Sequence, residues 1–155
     1  MRETILDWPT VLRRYLVASL LLHLAWEILQ LPLYTIWHEP LSKRAFAALH
    51  CTLGDLMIAG LSLLAALAIA GKPEWPRVGA RTVWLLLLVI GAGYTVYSEW
   101  LNVSVRGSWA YSPLMPTLPL IGTGLAPLLQ WLIVPNAALV IATGCVPWAT
   151  NQNGS

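Results

Sequence analysis

Apolar residues run almost unbroken through four stretches of the chain, separated by short segments rich in glycine, proline and charge. Each stretch is long enough to cross a hydrocarbon core, which takes about 20 residues at about 1.5 Å each. The pattern predicts four spans, at residues 15–37, 45–70, 82–103 and 118–142. Pro32 is expected to kink or end the first span, and Pro127 and Pro135 to bend the fourth, because proline removes a backbone donor. WHEPLSKR makes the first connection, and GKPEWPRVGAR, residues 71–81, is a polar turn punctuated by Gly and Pro. The third connection, NVSVRGSWAYSPLMPTLP, has aromatic and proline residues with little charge, and is expected to lie on the bundle rather than in water.

Composition points the same way. Of 155 residues, 57% are hydrophobic and 10% charged, against roughly 25% charged in a soluble domain, and the mean hydropathy is +0.66. The expected fold class is all-α, an integral membrane four-helix bundle forming a single transmembrane domain over residues 1–155. A net charge of +2 gives no ground for nucleic-acid binding. Two cysteines, Cys51 and Cys145, exclude a disulfide framework of the small secreted type. Arg13 and Arg14 precede the Leu-rich YLVASLLLHLAW as in a signal peptide, but no small-residue cleavage site follows, so the run reads as mature helix.

The basic residues set an orientation. With alternating spans, Arg2, Arg13, Arg14, Lys72, Arg77 and Arg81 share one side, while Lys43, Arg44 and Arg106 lie on the other. The positive-inside rule then puts both termini in the cytoplasm, and a bacterial inner membrane is the expected location. Trp8, Trp26, Trp37, Trp75, Trp100 and Trp109 mostly fall near span ends, as an aromatic belt requires.

Against this apolar background the ionisable residues need a reason, since a charge at the bilayer centre costs about 2.5 to 3.5 kcal/mol on insertion scales. In LLLHLAWEILQLPLY, His23, Glu27, Gln30 and Tyr34 follow steps of four, three and four and form one stripe facing the bundle. The second span supplies His50, Thr52 and Asp55, with Gly54 expected to allow close helix approach. Thr52 and Asp55 share a face, whereas His50 sits about 140° from Asp55 at about 100° per residue. The third span gives Thr95, Ser98, Glu99 and Asn102 on one face, and the fourth gives Gln130 and Asn136. Counted from the non-cytoplasmic ends, Glu27 and Asp55 come about 15 Å deep, with His50 and Glu99 shallower by roughly 5 to 10 Å.

Three carboxylates and two histidines from three helices thus converge on one half of the membrane. Buried polar residues also serve as glue between helices, but that glue is usually Ser, Thr, Asn or Gln rather than three acids. A carboxyl group in an apolar pocket can stay protonated at neutral pH while a second stays ionised, the division of labour needed to protonate, isomerise, hydrate or cyclise an alkene. The expected function is a membrane enzyme of this kind, acting on a hydrophobic isoprenoid or lipid. Its catalytic candidates are Glu27, Asp55, Glu99, His23 and His50, with Glu27 and Asp55 dividing the acid and base roles. Trp26, Gln30, Tyr34, Asn102, Trp100, Trp109, Tyr111 and Gln130 are the candidates for holding substrate, the aromatic faces by cation–π attraction.

The stretch SEWLNVSVRGSWAYSPLMPTLP resembles the membrane enzymes of carotenoid metabolism, the lycopene cyclases and carotenoid hydratases, in which an intramembrane acid precedes an aromatic and proline-rich loop. The likeness covers Glu99 to Pro119. Lycopene cyclases follow their proline pair with paired acids, whereas Leu120 and Ile121 stand here. The resemblance implies an isoprenoid substrate; no cofactor is expected.

Two other classes fit the same residues. His23 and Glu27 at i and i+4, completed by His50 and Asp55, offer nitrogen and oxygen ligands for a metal ion. A non-enzymatic membrane subunit, or a proton-linked transporter component, would use the acids as a relay, and at four spans a transporter would need to form a homo-oligomer. Ser98 and Ser112 lack a GxSxG elbow. GTGLAP, residues 122–127, reads as a helix entry rather than a phosphate loop, and Cys51 as a small buried hydrophobe.

Overall fold

The computed structural model describes residues 7–71, 75–76 and 79–144. Arg2, Lys72, Arg77 and Cys145 lie outside the described residues. Four helices make up the bundle: α1 (Trp8–Gln30), α2 (Leu41–Ala70), α3 (Ala80–Glu99) and α4 (Leu125–Thr143). All four are long and apolar enough to cross a membrane, with the spans running Trp8–Leu33, Leu41–Ala70, Ala80–Val105 and Leu125–Thr143. α1 and α3 each pack against both α2 and α4, so the helices close into a ring.

The packing is inverted relative to a soluble bundle. Large apolar side chains such as Leu29, Leu53, Met57, Leu61 and Leu132 point outward, while Ala18, Ala48, Ala59, Ala66, Ala138 and Ala142 are buried. Lipid solvates leucine as well as another leucine does, so helix contacts in a membrane favour small residues that let backbones approach. At Gly91 the small residue admits a side chain instead, since a Cβ there would stand 2.2 Å from Trp131 Cε3. At Gly54, expected from the sequence to allow close helix approach, a Cβ would meet nothing within 4 Å.

Helix boundaries shift from the sequence expectation for local reasons. α1 starts at Trp8 rather than residue 15, with Pro9 in its first turn, where a missing N–H costs little. It ends at Gln30 because Pro32 breaks the ladder; a short 3₁₀ turn, Leu31–Leu33, follows, then an extended Tyr34 and a second turn, Thr35–His38. α2 begins at Leu41, directly after Pro40. α3 continues as a π-helical turn, Trp100–Val105. α4 starts at Leu125, not residue 118: Leu118 and Thr123 close a turn (N to O, 2.9 Å) that has Gly122 at a left-handed φ of 66°.

Pro127 falls in the first turn of α4, whereas Pro135 sits inside the helix. Beside it, Asn136 accepts from the Trp84 indole and donates to the Leu132 carbonyl, tying α3 to α4. Trp75 departs from the expected belt, being 6% exposed and part of the core with Val83, Leu87 and Trp131. Trp8 and Trp37 keep to it, and the Trp37 ring carries the Arg44 guanidinium 4.8 Å from its centre.

Candidate functional site

The i, i+4 spacing of α1 aligns Tyr15, Ser19, His23 and Glu27 on one buried face, with Gln30 one turn beyond. Three of these positions, His23, Glu27 and Gln30, meet polar groups of another helix. Gln130, projecting from the ring-closing α4, places its Nε2 2.9 Å from His23 Nδ1, 3.1 Å from Glu27 Oε1 and 2.9 Å from Asp55 Oδ2. An amide nitrogen has two hydrogens, so three partners at this range share two protons among them. Asp55 Oδ2 also faces His23 Nδ1 at 3.5 Å. The result is an intramembrane cluster of two carboxyl groups, an imidazole and an amide drawn from α1, α2 and α4.

A second layer orients the first. Gln30 Nε2 donates to Glu27 Oε1 at 2.7 Å and lies 3.5 Å from Gln130 Oε1, while Trp26 Nε1 donates to Gln30 Oε1 at 3.2 Å. Glu27 Oε1 therefore receives two amide donors. The His23 ring packs 5.5 Å from the Trp131 ring, and its Nε2 is buried without a hydrogen-bond partner. Glu27 is 7% exposed and Asp55 16%, so Asp55 is the more open of the two carboxyls.

Glu99 anchors a neighbouring group beneath the third connection. Tyr111 Oη donates to Glu99 Oε2 and accepts from the Gly124 N–H at 2.9 Å. Trp109 Nε1 is buried on the Glu99 side without a partner at hydrogen-bonding geometry. The Tyr34 and Tyr111 rings lie 5.6 Å apart, and their backbones pair as an isolated antiparallel bridge. Around that bridge Thr35 N donates to Ala110 O at 3.0 Å and Ser112 N to Leu33 O at 2.9 Å. The proline-rich connection thus does lie on the bundle, laced to the α1–α2 connection.

Burial pushes the Tyr34 phenol far above its ordinary value, and the nearby Glu99 and Glu27 carboxylates add to this. Burial does the same to Tyr111, reinforced by its hydrogen bond to Glu99. Both phenols keep their protons at neutral pH, and Tyr111 donates its own to Glu99. Tyr34 lies within electrostatic reach of both Glu27 and Glu99, and Cys51 of Glu27, Asp55 and Glu99, so the two groups form one polar region.

Three expected members stay outside it. His50 faces away from the bundle and stacks on Phe46 at 5.7 Å, as its 140° offset from Asp55 requires. Trp100 is 51% exposed and packs against Tyr97, because the step of about 100° from one residue to the next turns it off the Glu99 face. Asn102 turns back to its own helix, with Nδ2 bonded to the Ser98 carbonyl at 2.9 Å. Without His50 the metal constellation of His23, Glu27, His50 and Asp55 does not assemble; among the described residues no three His, Cys, Asp or Glu side chains are grouped to hold an ion.

No protein-family model, curated protein or solved structure matches this chain. The site therefore rests on its own chemistry. Sequence reasoning missed Tyr15 and Ser19, which continue the His23–Glu27 stripe; their hydroxyl oxygens are buried without hydrogen-bond partners at bonding geometry. The signal was present in the four-residue spacing, but a tyrosine and a serine in an apolar run read as ordinary helix residues.

Proposed function

We propose that this protein is an integral membrane enzyme using carboxyl acid–base chemistry on a hydrophobic substrate of the isoprenoid or lipid class. The reading rests on one set of contacts: Glu27 Oε1 and Asp55 Oδ2 both lie within 3.1 Å of Gln130 Nε2. No Lys or Arg side chain pairs with either carboxyl among the described residues. Two carboxyl groups that share one amide, with the His23 imidazole as the nearest basic group, are a pair able to divide acid and base roles through one proton.

With one proton on the pair, one carboxyl donates it to an alkene carbon, whose π electrons form the new C–H bond and leave a cation on the adjacent carbon. The other carboxylate removes a proton from a neighbouring carbon, and that C–H pair becomes the new double bond. The double bond has moved, the proton count is unchanged, and the pair resets when the proton crosses back between the two oxygens. Gln30 and Gln130 hold Glu27 in register, and the Tyr34, Trp109 and Tyr111 rings at the Glu99 end offer π faces to the cation. Attack by water on the same cation gives the hydratase variant.

Mass spectrometry of the gently purified native protein, with elemental analysis of the same sample, tests this first. A retained isoprenoid or lipid without metal supplies a substrate to assay. Glu27→Gln and Asp55→Asn should then each abolish turnover while the protein stays folded, and unchanged turnover in both would overturn the proposal.

One observation favours a second reading. His50 is an ionisable group on a face made of exposed Phe46, Leu49, Leu53 and Met57, where lipid gives it no partner. A membrane subunit would cover that face with a neighbouring helix. It predicts a defined protein partner released by His50→Leu, together with tolerance of Glu27→Gln.

A further inference from the structure

A second feature lies at the opposite end of α1, about 20 Å along the helix from Glu27. A groove of about 530 Å³ runs along the surface between α1 and α4. Its mouth carries Arg13 and Arg14, and below them it is apolar, lined by Val17, Ala18, Leu21 and Leu22 of α1 and Ile141 of α4. The volume lies within the range of roughly 300–1,000 Å³ typical of small-molecule sites.

Neither arginine at the mouth is held in an ion pair among the described residues. Asp7 lies within electrostatic reach of Arg13, and its own carboxyl is held low chiefly by the Thr10 hydroxyl. Among the described residues Arg14 has no ion pair or hydrogen-bond partner. Both guanidinium groups belong to exposed residues. Guanidinium groups bind phosphate oxygens in a bidentate fork, which makes an arginine pair suited to a phosphate headgroup.

The groove's dimensions select the rest of the ligand. From Arg13 to Leu22 is about 14 Å along the helix, close to half of a hydrocarbon core about 30 Å thick. The groove therefore runs the depth of one leaflet, from headgroup level to the midplane. An exposed Trp8 stands one turn above the arginines, where an interfacial anchor belongs. A cationic mouth over an apolar channel one leaflet deep has the charge and length of a phospholipid.

We propose that this groove is a binding site for one anionic phospholipid, with its phosphate on Arg13 and Arg14 and an acyl chain lying between α1 and α4. The site is independent of the acid–base reading. It needs neither carboxyl group, and loss of either proposal leaves the other standing.

Native mass spectrometry of the full chain in detergent, titrated with phosphatidylglycerol or phosphatidylcholine, tests it. One phosphatidylglycerol should remain bound per chain under conditions that strip phosphatidylcholine. Arg13→Gln with Arg14→Gln should weaken it roughly 30-fold, taking about 1 kcal/mol for each arginine and tenfold per 1.4 kcal/mol. Ile141→Trp, which fills the groove and keeps both charges, should also displace the lipid, and it remains informative if the double variant fails to fold. Equal retention of the two lipids, phosphatidylglycerol binding indifferent to both variants, or equal occupancy by inorganic phosphate alone would each overturn the proposal. So would a groove that takes up no lipid at all.

Discussion

At the scale of single residues, Gln130 is the side chain on which the site depends. Its two amide hydrogens are shared among Glu27, Asp55 and His23, from a helix that contributes no other polar group to the cluster. If these contacts were ordinary glue, each would be worth about 0.6 kcal/mol in a bilayer. Removing the donor from a buried acid instead costs about 1–3 kcal/mol for each group left unpaired. Gln130→Leu should therefore lower unfolding free energy in mixed SDS micelles by more than about 2 kcal/mol, and a loss below about 1 kcal/mol would mark the contacts as replaceable. Ser19 and Tyr15 should behave oppositely. Their hydroxyls lack partners at bonding geometry, and exchanging an unsatisfied polar atom for an apolar one is near neutral or stabilising. Ser19→Ala and Tyr15→Phe should leave the same unfolding curve within about 0.5 kcal/mol of the parent or raise it; a clear loss would reveal partners for those oxygens.

At the scale of elements, the hydrophobic runs gave away the helices because lipid leaves the backbone no other way to satisfy itself. What the runs did not encode was where each helix stops. Pro32, Pro40 and Gly122 set those limits through backbone geometry, and hydropathy is blind to all three. The same division holds for the site. Glu27, Asp55 and Gln130 were legible because each is an expensive residue inside a span, and helical spacing had already set His50 apart from Asp55. Trp100 falls outside because it follows Glu99 directly, and a step of about 100° carries it off the face that Glu99 occupies. Gly54 and Gly91 were not legible in this way, since only the fold decides which glycine a neighbouring helix crosses. Trp131 is 1% exposed and cannot swing clear of a new methyl group. Gly91→Ala should destabilise the α3–α4 contact by about 1–3 kcal/mol. Gly93→Ala, whose Cβ would meet nothing within 4 Å, should be neutral or slightly stabilising, and thermal unfolding of the two variants side by side separates packing from helix propensity.

At the scale of the whole molecule, the helices differ in reach. α2, with 30 residues, is about 45 Å long, while α4, with 19, is about 29 Å. A core about 30 Å thick fits α4 upright but requires α2 to tilt or to project into the headgroups. By the positive-inside rule the α2–α3 connection is expected in the cytoplasm and the α1–α2 and α3–α4 connections outside. A cysteine introduced at Glu39, in a variant without native cysteines, should react with an impermeant maleimide in intact cells. One at Gly71 should react only after permeabilisation, and the reverse pattern would invert the topology. At the end of the bundle where α1 and α3 finish, the bridge between Tyr34 and Tyr111 fastens two loops that are far apart in sequence. Its effect is that of a hasp: the ends of α1 and α3 cannot part without breaking backbone hydrogen bonds. The Thr35 and Ser112 amides, though in loops, should exchange with deuterium as slowly as helix interiors, and their joint release would time each parting of the α1 and α3 ends.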